Sequence, residues 1–409
     1  MHVWRVVAMG VVSAVLAAGV TARAGGQLPR VEPGAAGLDA ARLAEATALL
    51  RQLVDERAIA GAVAAVARQG QVTYLDAVGV QDLESRAPMT PQTLFRIYSM
   101  TKPVTAVAVM MLVEEGRARL DDPVSKYLPE FADVRVGGGE TARPPARAVT
   151  VEDLLLHTSG LSHRTSDLYR DLAVRSRADT LQTFVGKIAR APLMEDPGTR
   201  FRYSEATTVL GRLVEVWSGQ AFDRFLETRV LGPLKMTDTA FWVDPARRPR
   251  LATVYGPVEG GGLRPVEIEA VPFTERPALI EGAVGLVSTV PDFLRFSQML
   301  LNRGELDGVR LLKAETVDRM VGNGLPPAVL AARGGRMGWG LANVNVVLDP
   351  AGVNYPARVG EYGWDGTAGT IFWVDPSRQL VTVLMTQSAP ANPQGIRQRF
   401  KTLVESAIR

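Results

Sequence analysis

Ser99 and Lys102, three residues apart, are the residues of this 409-residue chain that best suit nucleophilic chemistry. An apolar run over residues 104–115 follows them and predicts a helix that begins near Ser99. One helical turn would then place the two side chains on the same face. A serine hydroxyl needs a base close by, and a lysine held in a closed site can act as one. The spacing therefore predicts a nucleophile and its base, with the Ser99 N–H at the helix start as part of an oxyanion hole.

A Ser-x-x-Lys pair arises often by chance in a long chain, so the composition matters here. Lysine is scarce, since the chain has only six and arginine supplies the other cations. Ser99 and Lys102 also form the only Ser-x-x-Lys pair. A lysine just before an apolar helix is not in the usual place for a solvated surface cation. These features favour a catalytic pair over a chance match.

The amino-acid composition and net charge of the chain exclude several classes of function. The chain is 46% hydrophobic and 22% charged, which is typical of a globular protein with ample core. Its net charge is only +3, without a Lys/Arg run interleaved with aromatics, so nucleic acid is not an expected partner. The lack of cysteine excludes disulfides, thiol nucleophiles and cysteine metal sites. We expect no cofactor or metal, and the sequence leaves the oligomeric state open.

A Ser-His-Asp hydrolase does not fit the residues that are present. The chain lacks a Gly-x-Ser-x-Gly elbow, and outside the first residues it has only His157 and His163. These two lie close together in the sequence, and His157 is expected to cap or brace a helix end. Two histidines without clustered partners also disfavour a metal hydrolase.

Residues 1–24 have the pattern of an export signal. The start is weakly basic, residues 6–20 are apolar but too short for a comfortable membrane span, and a small-x-small cleavage pattern ends at Ala24. The mature protein, residues 25–409, is then expected to be exported to the periplasm or the extracellular space without a stable membrane span. An uncleaved N-terminal anchor is the alternative.

The order of the predicted elements is strands, helices, strands and a final helix, which indicates an α+β fold. Strands from both ends of the chain are expected to share one antiparallel sheet flanked by helices. A helical lobe, roughly residues 105–290, is inserted into this single catalytic unit. Periodicity and turn signals predict helices over residues 38–56, 149–156, 177–191, 206–218, 222–230, 290–302, 313–320 and 396–408, and strands over residues 61–67, 71–79, 339–348, 369–374 and 381–386.

Two further segments could bring polar groups to the Ser99 site. Tyr203 lies at a loop-to-helix junction after a Pro-Gly turn, where its hydroxyl could act as a general acid. A half-buried structural tyrosine is the alternative. Glycines around Trp364 and Asp365 permit close approach of a ligand to the backbone, and N–H groups there could complete the oxyanion hole. A plain Gly-rich turn before a strand is the alternative for this second segment.

Taken together, the segments resemble the serine β-lactamases and penicillin-binding proteins on their class C side, and most of all the family VIII carboxylesterases. The similarity extends from about Leu38 to the C-terminus. It implies the serine β-lactamase-like fold and an acyl-enzyme that cleaves a small-molecule ester or amide. The segments that carry it stand in the order of the family and span residues 94–102, 155–161, 201–204, 285–289 and 363–376.

The resemblance also implies a role for each matched residue. Ser99 is then the nucleophile, and Lys102 and Tyr203 are the general base and general acid. The backbone N–H groups of Ser99 and Thr367 form the oxyanion hole. Substrate contacts are implied for five residues around these groups, namely Tyr98, Glu205, Trp364, Asp365 and Gly366.

Two departures from the family pattern bear on the substrate. β-Lactamases end the tyrosine motif in Asn, where this chain has Glu205, and they carry a Lys in the third motif, where this chain has Trp364 and Asp365. The missing Lys and the added Asp365 carboxylate both argue against an anionic β-lactam or peptide as substrate. Trp364 instead offers an apolar wall to a neutral ester. We therefore expect a secreted ester hydrolase. A β-lactamase or DD-peptidase and a non-catalytic binding protein of the penicillin-recognition type are the alternatives.

Overall fold

A computed structural model of the protein describes residues 27–268 and 273–409. The predicted export signal, residues 1–24, lies outside the described residues and stays a prediction. Among the helices within the described ranges, none has the length and apolar character that crossing a membrane requires.

The helices and strands of these ranges are numbered in chain order. The helices are α1 (Ala40–Asp55), α2 (Thr101–Glu114), α3 (Val151–Leu155), α4 (Asp167–Asp171), α5 (Leu181–Ile188), α6 (Ala206–Ser218), α7 (Phe222–Leu226), α8 (Val290–Leu301), α9 (Ala314–Val321), α10 (Pro327–Ala332) and α11 (Ile396–Ser406). The strands are β1 (Gly61–Arg68), β2 (Gln71–Gly79), β3 (Phe95–Arg96), β4 (Tyr255–Pro257), β5 (Leu263–Pro265), β6 (Val287–Ser288), β7 (Glu305–Leu306), β8 (Val309–Arg310), β9 (Met337–Gly340), β10 (Val344–Val347), β11 (Tyr362–Asp365), β12 (Ile371–Asp375) and β13 (Leu380–Thr386).

A seven-stranded antiparallel sheet in the order β2-β1-β13-β12-β11-β10-β9 forms the centre of the molecule. The N-terminal hairpin pairs with the last strand, and Ala62 stands opposite Thr386. The two ends of the chain therefore meet in one sheet, as the order of the predicted elements implies. The predicted α+β fold is confirmed.

Strand β1 is apolar over residues 61–67 because helices cover both faces of the sheet. Ala62, Ala64 and Val66 belong to the core beneath α1 and α11, whereas Val63 and Ala65 belong to the core on the α8 side. Successive side chains of a strand point to opposite faces, so a strand covered on both sides is apolar throughout. The unbroken apolar run of residues 61–67 is therefore the sequence of a strand that is buried on both faces.

Helix α2 is the element that fixes the predicted nucleophile segment. Residues 101–112 are all buried, so the helix is enclosed on every side. A helix that is apolar all round belongs to the interior of a protein. It packs against α6 and begins directly after a 3₁₀ turn, Tyr98–Met100, that contains Ser99. The nucleophile segment is therefore anchored in the core and not in a surface loop.

The structure differs from the prediction at residues 339–348, which form two strands and not one. Strands β9 and β10 pair as a hairpin around Asn343, which has a φ of 57°. Asparagine tolerates this left-handed conformation better than most residues. Its buried amide also donates to the Leu155 carbonyl at 3.0 Å. The prediction of a single strand is wrong because the turn is made by one buried polar residue within an apolar run.

Buried hydrogen bonds attach the last helix to the sheet. Lys401 of α11 donates from Nζ to Glu361 Oε2 at 3.2 Å and to Glu405 Oε1 at 2.7 Å, and Lys401 is 0% exposed. Glu361 directly precedes β11, so the contact joins α11 to the strand of the third motif. Burial raises the pKa of Glu361 to about 7, although the nearby Lys401 ammonium acts in the opposite direction.

The raised pKa of Glu361 predicts a pH-dependent loss of stability. The folded state holds the proton up to about pH 7, whereas the unfolded value is near 4.5. The stabilisation is therefore complete below pH 4.5 and is lost as the pH rises through 7. Because Glu361→Gln does not titrate, its free energy of unfolding relative to wild type should increase by up to about 3 kcal/mol between pH 4.5 and pH 8. Denaturant unfolding across this range measures the difference.

An exposed acid provides the matched control for this experiment. Glu130 is exposed to solvent, and Glu130→Gln is the same substitution away from the Lys401 contact. A stability difference between Glu361→Gln and wild type that does not change with pH would contradict the assignment of this titration to Glu361.

Candidate active site

Ser99 stands at a sharp turn of the backbone. The residue before it, Tyr98, has a φ of 43°, a left-handed conformation that is uncommon for a residue other than glycine. Ser99 is 6% exposed at the end of this turn. Within the described parts of the chain, no group accepts a hydrogen bond from its backbone N–H. This N–H is thus available for the role in an oxyanion hole that the sequence predicts.

Lys102 lies one residue into α2 and is fully buried. Its Nζ donates to the Ala283 carbonyl oxygen at 3.0 Å and lies 3.4 Å from Ser99 Oγ. The same Nζ is 4.5 Å from the centroid of the Tyr203 ring. The fold therefore brings together the three side chains to which the sequence assigns the reaction. Their individual roles stay predictions.

Tyr203 lies three residues before α6, with its hydroxyl buried. This hydroxyl has no partner in good hydrogen-bond geometry among the described residues. Burial raises the pKa of Tyr203 far above its usual value, and the nearby Ser99 and Trp364 side chains offset only part of that rise. The phenol is consequently protonated at neutral pH. A protonated phenol next to a serine and a lysine can donate a proton to a leaving oxygen.

His157 supports the tyrosine segment, a function that its spacing in the sequence does not indicate. Its ring lies 4.9 Å from the Tyr203 ring between centroids, and its Nδ1 accepts the Ser204 N–H at 3.3 Å. Burial, followed by the charge of Lys102, lowers the pKa of His157 well below its usual value. The imidazole is therefore neutral and Nδ1 can accept. His157 comes two residues after the end of α3, and its ring packs against Tyr203.

Glu205 is placed inside the protein and not in the cleft. It is 0% exposed, and its two oxygens accept from Arg164 Nη1 at 3.0 Å and from Thr208 Oγ1 at 3.2 Å. Burial acts to raise the pKa of Glu205, but Arg164 and then Lys102 outweigh it and hold the pKa at about 2. This placement argues against the expected substrate contact, because both oxygens are engaged. Glu205 instead forms a buried ion pair with Arg164.

Trp364 forms one wall of the site. Its half-buried ring lies 5.4 Å from the Tyr203 ring and 4.6 Å from the Trp339 ring between centroids. Strand β10 pairs with β11 only at Tyr362 and Gly363, so the edge of β11 from Trp364 onward is open on that side. The first residues of this Gly-rich segment therefore form a strand, and its open edge lies beside the predicted catalytic residues.

Asp365 is not the unpaired anion that its position in the sequence suggests. Arg397 of α11 donates from Nη1 to Asp365 Oδ2 at 2.6 Å. The other terminal nitrogen of Arg397 donates to the Gly366 carbonyl at 3.0 Å and to the Thr370 carbonyl at 3.4 Å. Burial raises the pKa of Asp365, and Arg397 opposes that rise. Repulsion of an anionic substrate by Asp365 is thus weaker than expected.

Gly366 permits a close contact between the third motif and the turn that carries Ser99. A Cβ added at Gly366 would overlap the Ile97 carbonyl oxygen and Thr370 Oγ1. The next residue, Thr367, is exposed, and its N–H donates to no other described residue. The close packing brings this turn next to the Ser99 segment. Pairing of the Thr367 and Ser99 N–H groups as an oxyanion hole stays a prediction.

Tyr98 is buried and packs against Phe273. Its ring is 1% exposed and lies 5.7 Å from the Phe273 ring between centroids. Together with Arg96 and Val266 it lines a separate cavity of about 350 Å³. The substrate contact assigned to Tyr98 by resemblance stays a prediction.

The residues of the described chain that most resemble a metal-ligand set lie elsewhere. Carboxylate oxygens of Glu361, Asp375 and Glu405 lie within 4.8 Å of one another. The Lys401 ammonium already donates to two of these three residues. A lysine amine in this position supplies the cation that such a cluster needs, so the cluster is accounted for without a metal.

Comparisons with known proteins match nearly the whole chain. The family model described as Beta-lactamase matches residues 46–404. Protein Rv1367c of Mycobacterium tuberculosis (strain ATCC 25618 / H37Rv) is 36% identical over 364 residues, covering 84% of this chain and 89% of that protein. Esterase EstB of Burkholderia gladioli is 34% identical over 388 residues, covering 88% and 94%. The solved structure of EstCE1, a hydrolase with promiscuous acyltransferase activity, has a TM-score of 0.79 and 26% identity, covering 89% and 98%.

The close contacts of Gly366 predict that one added methyl group at this position lowers the activity. Gly366→Ala would push the turn of Thr367 away from the Ile97 carbonyl and so displace one predicted oxyanion donor. Loss of such a donor costs about 10²-fold in kcat. We expect a loss of this size in steady-state ester hydrolysis, with a thermal unfolding midpoint that shows the protein still folded. Gly138→Ala is the control, because a Cβ at Gly138 meets no atom within 4 Å. Unchanged kcat in Gly366→Ala would exclude this arrangement.

Proposed function

The chain belongs to the beta-lactamase family and is a serine hydrolase, and from this premise we propose that it cleaves carboxylic esters through an acyl-enzyme on Ser99. The observation that carries the proposal is the Trp364 ring, half-buried and 5.4 Å from the Tyr203 ring. An apolar ring beside the predicted general acid suits a neutral ester. The 34% identical relative from Burkholderia gladioli, which is named an esterase, supports the same choice.

In the acylation step, the Lys102 amine accepts the proton of the Ser99 hydroxyl. The Ser99 Oγ then bonds to the ester carbonyl carbon. The Nζ to Oγ distance of 3.4 Å is long, but catalytic hydrogen bonds often tighten only when substrate is bound. The N–H groups of Ser99 and Thr367 stabilise the oxyanion, at about 3 kcal/mol for each donor.

The Tyr203 phenol donates its proton to the leaving alkoxide as the C–O bond breaks. The Lys102 ammonium, with Nζ 4.5 Å from the Tyr203 ring centroid, then returns a proton to the phenolate. Water attacks the acyl-enzyme, gives one proton to the same pair, and releases the acid as Ser99 regains its hydrogen. The net change is ester plus water to acid plus alcohol. An alcohol or amine in place of water would give acyl transfer.

The charges of the third motif favour an ester over a β-lactam. Arg397 is a cation that contacts this motif, and its Nη1 already donates to Asp365 Oδ2 at 2.6 Å. A substrate carboxylate at this position would have to compete with Asp365 for Arg397. A neutral ester avoids this competition and gains contact with Trp364. We further propose that the protein acts outside the cytoplasm, since residues 1–24 have the pattern of an export signal.

The proposal predicts Ser99-dependent cleavage of a short-chain p-nitrophenyl ester by the protein from Gly25 onward. A chromogenic cephalosporin should be turned over weakly or not at all. Ser99→Ala should lower ester turnover by about 10³-fold or more, because the covalent intermediate cannot form. Absorbance of the released nitrophenol measures the rate, and Ser406→Ala, at an exposed serine, is the control.

Two outcomes would contradict the proposal. Efficient cephalosporin hydrolysis with weak ester cleavage would identify a β-lactamase and would point to Arg397 as the ligand of the substrate carboxylate. Ester cleavage that survives in Ser99→Ala would exclude the acyl-enzyme on Ser99.

A further inference from the structure

The carbonyl oxygen that holds the Lys102 amine belongs to a buried turn over residues 281–286. Ala283 supplies this oxygen, which accepts from Lys102 Nζ at 3.0 Å. The turn is closed by its own backbone, since the Glu281 carbonyl accepts the Gly285 N–H at 2.9 Å. The position of the Ala283 carbonyl, and with it one partner of the Lys102 amine, therefore depends on what holds this turn in place.

Two threonines of α2 hold the turn against the nucleophile segment. Thr105 Oγ1 donates to the Gly282 carbonyl at 2.8 Å, and Thr101 Oγ1 accepts the Leu286 N–H at 3.1 Å. Helix α6 packs on the same turn, because a Cβ added at Gly282 would lie only 2.7 Å from the Thr207 carbonyl oxygen. The turn is thus seated between α2 and α6.

The Glu281 side chain joins the turn to a third part of the helical lobe. Arg175, in the segment between α4 and α5, donates from Nε to Glu281 Oε1 at 2.5 Å and from Nη2 to Glu281 Oε2 at 2.7 Å. Glu281 is only 4% exposed. A pair of parallel hydrogen bonds fixes orientation as well as distance. Because burial offsets much of the attraction between two charges, we expect this pair to contribute more to geometry than to stability.

We propose that Glu281, held by Arg175, is a positioning residue that keeps the Ala283 carbonyl against the Lys102 amine. A neutral amine that donates one hydrogen to this carbonyl has its lone pair available for Ser99 Oγ, 3.4 Å from Nζ. If the turn shifts, the amine reorients and accepts the serine proton more slowly. This inference rests on the proposed hydrolysis, in which Lys102 is the base for Ser99.

Glu281→Gln tests the inference, because the amide has the size of the carboxylate but cannot form the ion pair. Lys102 acts in acylation and in deacylation, so kcat for a short-chain p-nitrophenyl ester should fall about tenfold or more while KM stays close to that of wild type. Absorbance of the released nitrophenol, recorded well below the thermal unfolding midpoint, measures both constants. An unchanged kcat, or a loss that lies in KM alone, overturns the inference.

Arg175→Gln removes the other half of the pair and provides a second variant at a partly exposed position. Both substitutions act through one contact. The double variant should therefore lose no more activity than the single variant with the larger loss, whereas the effects of independent sites multiply in kcat. Losses that multiply in the double variant overturn the proposed action through the ion pair.

Asp223→Asn is the matched control for a loss of stability. Asp223 is 6% exposed and accepts from Arg276 Nη2 at 2.8 Å, so this substitution also breaks a pair between a buried carboxylate and an arginine. It should change the thermal unfolding midpoint as Glu281→Gln does, but it should leave kcat unchanged. An equal loss of kcat in both variants overturns the positioning role.

Labelling with a fluorophosphonate probe separates this inference from the proposed ester hydrolysis. The probe bonds to an activated serine and releases fluoride, so it needs no ester turnover. Slower labelling of Ser99 in Glu281→Gln, by about tenfold, supports the inference even if wild type cleaves no ester. Labelling at the wild-type rate overturns the inference even if ester hydrolysis is confirmed.

Discussion

Lys102 is fully buried, and its amine is held between the Ala283 carbonyl and the Ser99 hydroxyl. An amine removed from water must find its partners within the protein. Helix α2 excludes solvent because residues 101–112 are all buried, and the buried Glu205 is paired with Arg164. The burial of α2 and these two contacts keep the Lys102 amine out of water and next to Ser99.

The third motif must then approach Ser99 closely enough to complete the site. Gly366 allows this approach, since any side chain there would overlap the Ile97 carbonyl. Arg397 holds the same turn from the outside through Asp365 and two carbonyl oxygens. Helix α11 therefore takes part in the site without facing the substrate, and the contact of Lys401 with Glu361 fixes that helix to β11.

Residues close in sequence or matched to a family motif could be predicted, whereas partners brought together by packing could not. Ser99 and Lys102 share a helical turn, so their spacing alone predicts their proximity, and the resemblance adds Tyr203. The Arg397–Asp365 pair joins residues 32 positions apart through the packing of α11, which periodicity does not reveal. The domain limits and the catalytic roles stay predictions until they are measured.

A rapid-quench experiment with a p-nitrophenyl ester, followed by mass spectrometry of the peptides, tests the central claim most directly. The claim is that Lys102 activates Ser99 for acylation. Wild type should carry the acyl group on Ser99 within the first turnover, whereas Lys102→Arg should carry none, because a guanidinium stays protonated and cannot accept the serine proton. An acyl group that forms at the wild-type rate in Lys102→Arg, or that forms on another residue, would contradict the claim.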